Sequence, residues 1–185
     1  MKVELSKNLF KKNHVTNSNI LSKFYFEILY KKILSMGNFN RSITILDYGC
    51  GKGNLKKINE KMRNLSKIIN YDKIKLLSEI SSYKNIKLDA VVFCQVFYLL
   101  KKTQIMKILK EFKAKNKKIE IIVAFSTQGI LNKIFAFILG HKEAHYGTKT
   151  KPIEEEKILL KKCDLKKKIN FFGLFKILKL EFKKK

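Results

Sequence analysis

Five residues of this 185-residue chain have the types and spacing of a ligand site: Asp47, Gly49, Gly51, Gly53 and Asp72. Glycine lets a turn adopt left-handed backbone and lets that backbone approach a ligand closely. The chain holds only four aspartates, and three stand at the ends of short apolar runs. Asp47 follows Ser42-Ile-Thr-Ile-Leu46, Asp72 follows Lys67-Ile-Ile-Asn-Tyr71, and Asp89 precedes Ala90-Val-Val-Phe-Cys94. In open α/β sheets, ligands bind beyond the carboxyl ends of the strands. A carboxylate about 20 residues past a glycine turn is spaced to accept hydrogen bonds from two ribose hydroxyls, so the ligand should contain a nucleoside.

The glycine spacing narrows the choice. A dinucleotide fingerprint beginning at Gly49 requires glycine at position 54, where this chain has Asn54. A P-loop requires a hydroxyl after Gly-Lys, and Gly51-Lys52-Gly53 has none. Nicotinamide and flavin dinucleotides are disfavoured, and ATP hydrolysis is excluded.

These residues need a scaffold, and the hydrophobic pattern supplies one. Leu21, Phe24 and Ile28 recur at helical spacing between about Asn19 and Met36, and Gly37-Asn38 supplies a stop. The first strand, the glycine turn and a helix carrying Leu55, Ile58 and Met62 follow. The stretch from Asp72 to Asp89 is too short for two full helices and a strand, and predicts one short helix with at most a stub of strand. A helix from Thr103 to about Lys115, a strand at Ile119–Phe125, an apolar segment from Ile130 to Leu139 and a helix from about Pro152 to Lys162 come next. Two β-like runs, about Lys167 to Phe172 and Phe175 to Phe182, flank Gly173 as a hairpin. The expected fold is a mostly parallel α/β sheet with helices on both faces and a C-terminal antiparallel hairpin. One domain spans residues 1–185: a helical extension to about 40, a ligand-binding core from about 42 to 127, and a substrate side from about 128 to 185.

At the glycine turn the chain resembles the class I S-adenosylmethionine-dependent methyltransferases. Ile45-Leu-Asp-Tyr-Gly-Cys-Gly-Lys-Gly53 is similar to that family's first motif, Tyr71-Asp72 to its second-strand acid, and Leu88-Asp-Ala-Val-Val-Phe-Cys-Gln-Val-Phe-Tyr-Leu-Leu100 to its fourth-strand motif. Two departures stand out. Many relatives carry Glu-His where Tyr98-Leu99 stands, and the adenine-contacting acidic segment is reduced to Glu79-Ile-Ser-Ser-Tyr83. The resemblance implies a Rossmann-like fold, S-adenosylmethionine as cofactor, and cofactor contacts at Asp47, Gly49, Cys50, Gly51, Gly53 and Asp72. The turn's N–H groups and the helix start would meet the methionine carboxylate, and Asp47 its ammonium. Cys94 and Gln95 either touch the cofactor through backbone atoms or merely end a strand.

Methyl transfer from a sulfonium needs positioning and exclusion of water more than a dedicated catalytic group. If a base acts, the loop Gly140-His-Lys-Glu-Ala-His-Tyr-Gly147 is the place for it, with His145 and Tyr146 as candidates. Cys50 reads as a small turn residue, because no histidine is paired with it in sequence. The Ile130–Leu139 segment, with Phe135 and Phe137, reads as core or pocket cover, with a place on a membrane surface as the lesser alternative given Lys133 and the cationic surface.

Composition bounds the partners. The three cysteines form no C-x-x-C pair, which indicates neither metal nor disulfide framework. The N-terminal segment lacks the continuous apolar stretch of a signal peptide, and the longest apolar run is too short to span a bilayer, so the expected location is the cytoplasm. The net charge is +26, yet of 41 basic residues only Arg41 and Arg63 are arginine. Lysine spread along the whole chain reads as a solvated shell capable of non-specific nucleic-acid binding. The leading expectation is an enzyme that methylates a small-molecule or lipid- or glycan-precursor acceptor. An RNA methyltransferase and a non-catalytic S-adenosylmethionine-binding module are the alternatives. The first lacks an Asn-Pro-Pro-Tyr tetrapeptide at Cys94-Gln-Val-Phe97, and the second leaves the intact Asp47, glycine and Asp72 set without a purpose.

Overall fold

The computed structural model describes residues 20–127, 129 and 148–184. Helix α1 (Ile20–Gly37) leads into strand β1 (Thr44–Tyr48), the glycine turn, α2 (Asn54–Lys61) and β2 (Lys67–Tyr71). Strand β3 (Ala90–Cys94) is followed by a 3-10 turn at Phe97–Leu99, then α3 (Lys102–Lys115) and β4 (Glu120–Ser126). Helix α4 (Pro152–Lys162) runs directly into β5 (Cys163–Phe171), which turns back as β6 (Phe175–Phe182). The six strands form one sheet in the order β2-β1-β3-β4-β6-β5, with β1 to β4 parallel and β5 and β6 antiparallel.

Alternation of side chains along each strand builds two cores. Leu46, Val91, Phe93, Ile121 and Val123 face α3 and α4, where they meet Ile105, Leu109, Phe112 and Leu159. Ile45, Val92, Ile122 and Ala124 face α1 and α2, against Leu29, Ile33, Leu34 and Leu55. Burial on both faces explains why these strands read as continuous apolar runs in the sequence.

Three sequence expectations require correction. First, the stretch from Asp72 to Asp89, expected to hold a short helix, holds only a 3-10 turn, Lys75–Leu77, and among the described residues the optional stub of strand is not formed. In place of a strand, Glu79 serves the outer side of β2: its N–H donates to the Asn70 carbonyl at 3.0 Å, and its Oε2 accepts the Asn70 N–H at 3.3 Å. Second, α1 turns Leu29, Tyr30, Ile33 and Leu34 inward, whereas Leu21 and Phe24, expected on the inner face, are exposed. Third, β5 begins at Cys163, four residues ahead of the expected start, because its exposed lysines mask the strand pattern. Asp89 lies at the amino edge, where its Oδ2 accepts the Thr44 N–H at 2.8 Å and its own N–H donates to the Thr44 carbonyl at 2.9 Å. It joins the start of β1 to β3, away from the other two aspartates. The apolar segment from Ile130 to Leu139 lies outside the described residues.

Candidate functional site

The carboxyl edge of the parallel strands gathers the predicted cluster. Gly49, Gly51 and Gly53 all adopt positive φ, at 76, 53 and 67°. At two of them glycine is also required by space: a Cβ on Gly49 would stand 2.6 Å from Val96 Cγ2, and one on Gly53 would stand 2.7 Å from Asn70 Nδ2. The turn is stitched to the end of β2. Gly49 and Cys50 donate their N–H groups to the Tyr71 carbonyl at 2.7 and 3.2 Å, and Gly51 donates to Oδ2 of Asp72 at 3.1 Å. Gly53 donates to the Cys50 carbonyl at 3.0 Å. These four N–H groups are therefore used within the chain, contrary to the expectation that they would meet the cofactor's carboxylate. The N–H groups in the first turn of α2, orphaned by helix geometry, are left for an anionic group.

Asp47 is the chemically distinctive residue. It is 2% exposed, and no hydrogen-bond donor or cation among the described residues reaches its carboxylate. Burial, the Asp72 carboxylate and the Glu79 carboxylate together push its pKa up to about 7. A buried carboxylate among other carboxylates is unfavourable as it stands, and becomes favourable when a cation joins it.

Asp72 is held from both sides, its Oδ1 accepting the Ile74 N–H at 2.9 Å. Glu79 is tied to Lys56 at 2.6 Å, and its Oε1 accepts from Asn70 Nδ2 at 3.1 Å. Lys56 and the Asn70 amide hold the Glu79 carboxyl below the usual range despite its partial burial.

Past β3, Gln95 takes a left-handed φ of 54°, its N–H donating to the Ala124 carbonyl at 2.7 Å. Strain of this kind in a residue other than glycine concentrates at ligand sites. Gln95 Nε2 donates to the Tyr25 hydroxyl at 3.4 Å, and burial pushes that phenol up to about 12. Burial, with the Asp47 carboxylate adding to it, holds the Cys94 thiol well above the ordinary range. Cys50 is also held up, to about 12, by burial and by Asp47, and its Sγ donates to the Leu77 carbonyl at 3.4 Å. Both thiols are poor nucleophiles.

The structure thus brings together Asp47, Gly49, Cys50, Gly51, Gly53, Asp72, Cys94 and Gln95. His145 and Tyr146 lie outside the described residues. Sequence reasoning missed Tyr25, which carries no local signal of its long-range contact with Gln95. It also missed Glu155 on α4, which is 1% exposed, with Oε1 unpartnered and its pKa raised to about 8 by burial. Tyr98, beside it, is coupled to both Glu155 and Cys94. The chain re-enters the described structure here, Lys149 donating its N–H to the Tyr98 carbonyl at 2.7 Å.

No protein-family model matches this sequence, and no curated protein matches it. Solved structures do match in fold. The pyocyanin biosynthetic protein PhzM superposes with a TM-score of 0.64 at 11% identity, over 83% of this chain and 54% of its own. Human N-acetylserotonin methyltransferase, solved with SAM, gives 0.61 at 13% identity, over 83% and 51%. Magnesium protoporphyrin IX methyltransferase from Synechocystis, solved with bound SAH, gives 0.53 at 14% identity, over 89% and 88%. The chain spans about half the length of the first two. The fold is the Rossmann-like fold of S-adenosylmethionine-dependent methyltransferases.

Proposed function

We propose that this protein is an S-adenosylmethionine-dependent methyltransferase acting on a small-molecule or lipid- or glycan-precursor acceptor. The observation that carries this reading is Asp47, a buried carboxylate that no cation among the described residues meets, beside a glycine turn and the Asp72 carboxylate. The residues fit the cofactor. Asp47 would hold the ammonium of its methionine end, the first turn of α2 the carboxylate, and Asp72 the ribose hydroxyls. When bound, the cofactor supplies an electrophilic methyl on a sulfonium.

The protein's own contribution is placement and desolvation. Gln95 and Tyr25 fix the chain that leaves β3, and the Tyr98–Lys149 hydrogen bond fixes the chain that returns to α4. Both segments lie at the edge of the sheet that carries Asp47, where an acceptor would be held for in-line attack. His145 and Tyr146 remain candidates for accepting a proton from the acceptor.

Calorimetric titration with S-adenosylmethionine and S-adenosylhomocysteine tests the reading. Saturable binding at one site is expected. Absence of heat with both ligands, in protein shown to be folded, would overturn it. The alternative of an RNA methyltransferase draws only on the overall charge, since the described lysines are dispersed over the helices, β2, the hairpin strands and the connections rather than gathered in one patch.

A further inference from the structure

We propose that the carboxyl edge of the sheet docks on an anionic phospholipid bilayer and opens the site toward an amphiphilic acceptor lying in that surface. The docking stands on the surface alone; the amphiphilic acceptor rests on the methyl-transfer reading above.

The apolar side chains that α1 fails to bury belong to a larger set. Leu76 is 87% exposed, Phe172 75%, Phe24 64% and Ile153 63%. Isolated exposed apolar residues are ordinary on a protein surface, so their location decides the matter. Leu76 follows β2 in the segment anchored by Asp72. Ile153 begins α4, just after Lys149 and Thr150 donate their N–H groups to the Tyr98 carbonyl beyond β3. Phe172 is at the tip of the β5–β6 hairpin, beside the end of β4, where Ser126 pairs with Phe175 and the Thr127 N–H donates to the Leu174 carbonyl. Phe24 adjoins Tyr25, which reaches Gln95 past β3. All four therefore rim the edge onto which the candidate site opens. Phe172 also takes a φ of 46°, an unfavourable conformation for a bulky aromatic residue, and packs only partly, against Phe171. Strain that exposes an aromatic ring at a tip yields no stability to the isolated fold.

Charge on the same edge identifies the occupant. Lys23, Lys52, Lys75 and Lys149 are exposed there, and none forms an ion pair among the described residues. The acidic groups of this edge are otherwise engaged: Asp47 is buried, Asp72 is held by two N–H groups, Glu79 is paired with Lys56, and Glu154 with Lys102 at 2.8 Å. Aromatic and aliphatic tips set among unpaired lysines are complementary to a bilayer interface with anionic headgroups. The tips enter the boundary region while the lysines meet phosphates. No helix among the described residues is long and apolar enough to cross a membrane, and the rim described is of the kind that rests in an interface.

The test is co-sedimentation of the full chain with vesicles of phosphatidylcholine alone and of equal parts phosphatidylcholine and phosphatidylglycerol. Sedimentation is expected only with the mixed vesicles, and should weaken from about 0.1 M to about 1 M salt as the screening length contracts. The double variant Phe172→Ser/Ile153→Ser should lower partitioning about tenfold. Leu65→Ser, at an exposed position on the opposite edge, should change it less than twofold. Equal losses in the two variants would mean that the lysine shell binds without orientation and would overturn the proposal. A wild-type protein that fails to sediment, or a rim variant that sediments undiminished, would overturn it too, the latter pointing to a protein partner. Titration of the same preparations with S-adenosylhomocysteine keeps the two readings apart. Vesicle binding without cofactor binding would refute the methyltransferase and leave the docking; the converse would refute the docking alone.

Discussion

The backbone N–H of Gly51 donates to Oδ2 of Asp72 at 3.1 Å. This bond makes the glycine turn and the end of β2 one mechanical unit. The carboxylate assigned to the ribose is aimed by the turn that precedes it, and the turn in turn is held by the carboxylate. Changes on either side should therefore be felt on the other.

Gly51→Val places a β-branched side chain at a φ of 53° and distorts the turn that orients Asp72. Binding of S-adenosylhomocysteine should be lost while the sheet persists. Calorimetry paired with circular dichroism checks both halves, and undiminished affinity in a folded variant would contradict the assignment.

Asp72→Ala removes the proposed acceptor of the ribose hydroxyls and releases the Gly51 and Ile74 N–H groups. Loss of charge-assisted hydrogen bonds of this kind costs about 1.5–3 kcal/mol, more than tenfold in affinity. Asp72→Asn, able to keep one acceptor oxygen, should fall between the two. A loss below threefold for the alanine variant would place the ribose elsewhere.

Protonation of Asp47 should govern cofactor affinity near neutrality. With its pKa raised to about 7, the ligand's ammonium meets a carboxylate above that pH and an uncharged acid below it. Affinity for S-adenosylhomocysteine should accordingly fall as pH drops through about 7, and Asp47→Asn should bind weakly with a flat profile. The free protein follows the opposite trend. Stability from this raised pKa is complete below the ordinary carboxylate range and lost as pH rises through about 7. Titrations at several pH values, together with melting curves without ligand, test both signs.

Glu155 gives a second, independent pH effect. Burial raises its pKa to about 8, so its stabilising protonation is complete below about 4.5 and is lost as pH rises through about 8. Glu155→Gln escapes this loss. The variant should match the wild type near pH 4.5 and exceed it near pH 9, where about 3–5 kcal/mol of unfolding free energy separates them. Equal melting temperatures at the higher pH would show that Glu155 is solvated.

The lysine shell should bind RNA without sequence preference. With arginine nearly absent, counterion release is the available driving force, and binding should fall steeply with salt. Filter binding with several unrelated RNAs at two salt concentrations checks this. One RNA retained at the higher salt while the others are lost would favour the RNA methyltransferase.

Local chemistry was the legible part of this sequence. The glycine turn announces itself because three left-handed positions within five residues leave few alternatives to glycine, and β2, β3 and α4 fall where their β-branched and helical patterns place them. The inner face of α1 was misplaced by one residue. Apolar periodicity records which side chains are greasy but not how far the helix overhangs its sheet, and the apolar residues of its first turns remain exposed. Tyr25 and Glu155 were beyond sequence reasoning because tertiary contacts alone define their surroundings, and the same holds for the backbone partners of Glu79, a residue the sequence did single out.

The substitution of Glu79 for a strand has a bearing on self-association. An outermost strand with bare N–H and carbonyl groups is a template for another copy of the same chain. On β2, both backbone groups of Asn70 are taken by Glu79. At the far side, β5 carries exposed Lys166, Lys167 and Lys168 and an irregular register between Leu165 and Lys167. One boundary is blunted by a single glutamate and the other by an irregular register set among solvated lysines, of which Lys166 and Lys168 are tied to Glu181 and Glu156, so edge-to-edge stacking of copies into extended sheets is opposed at both ends.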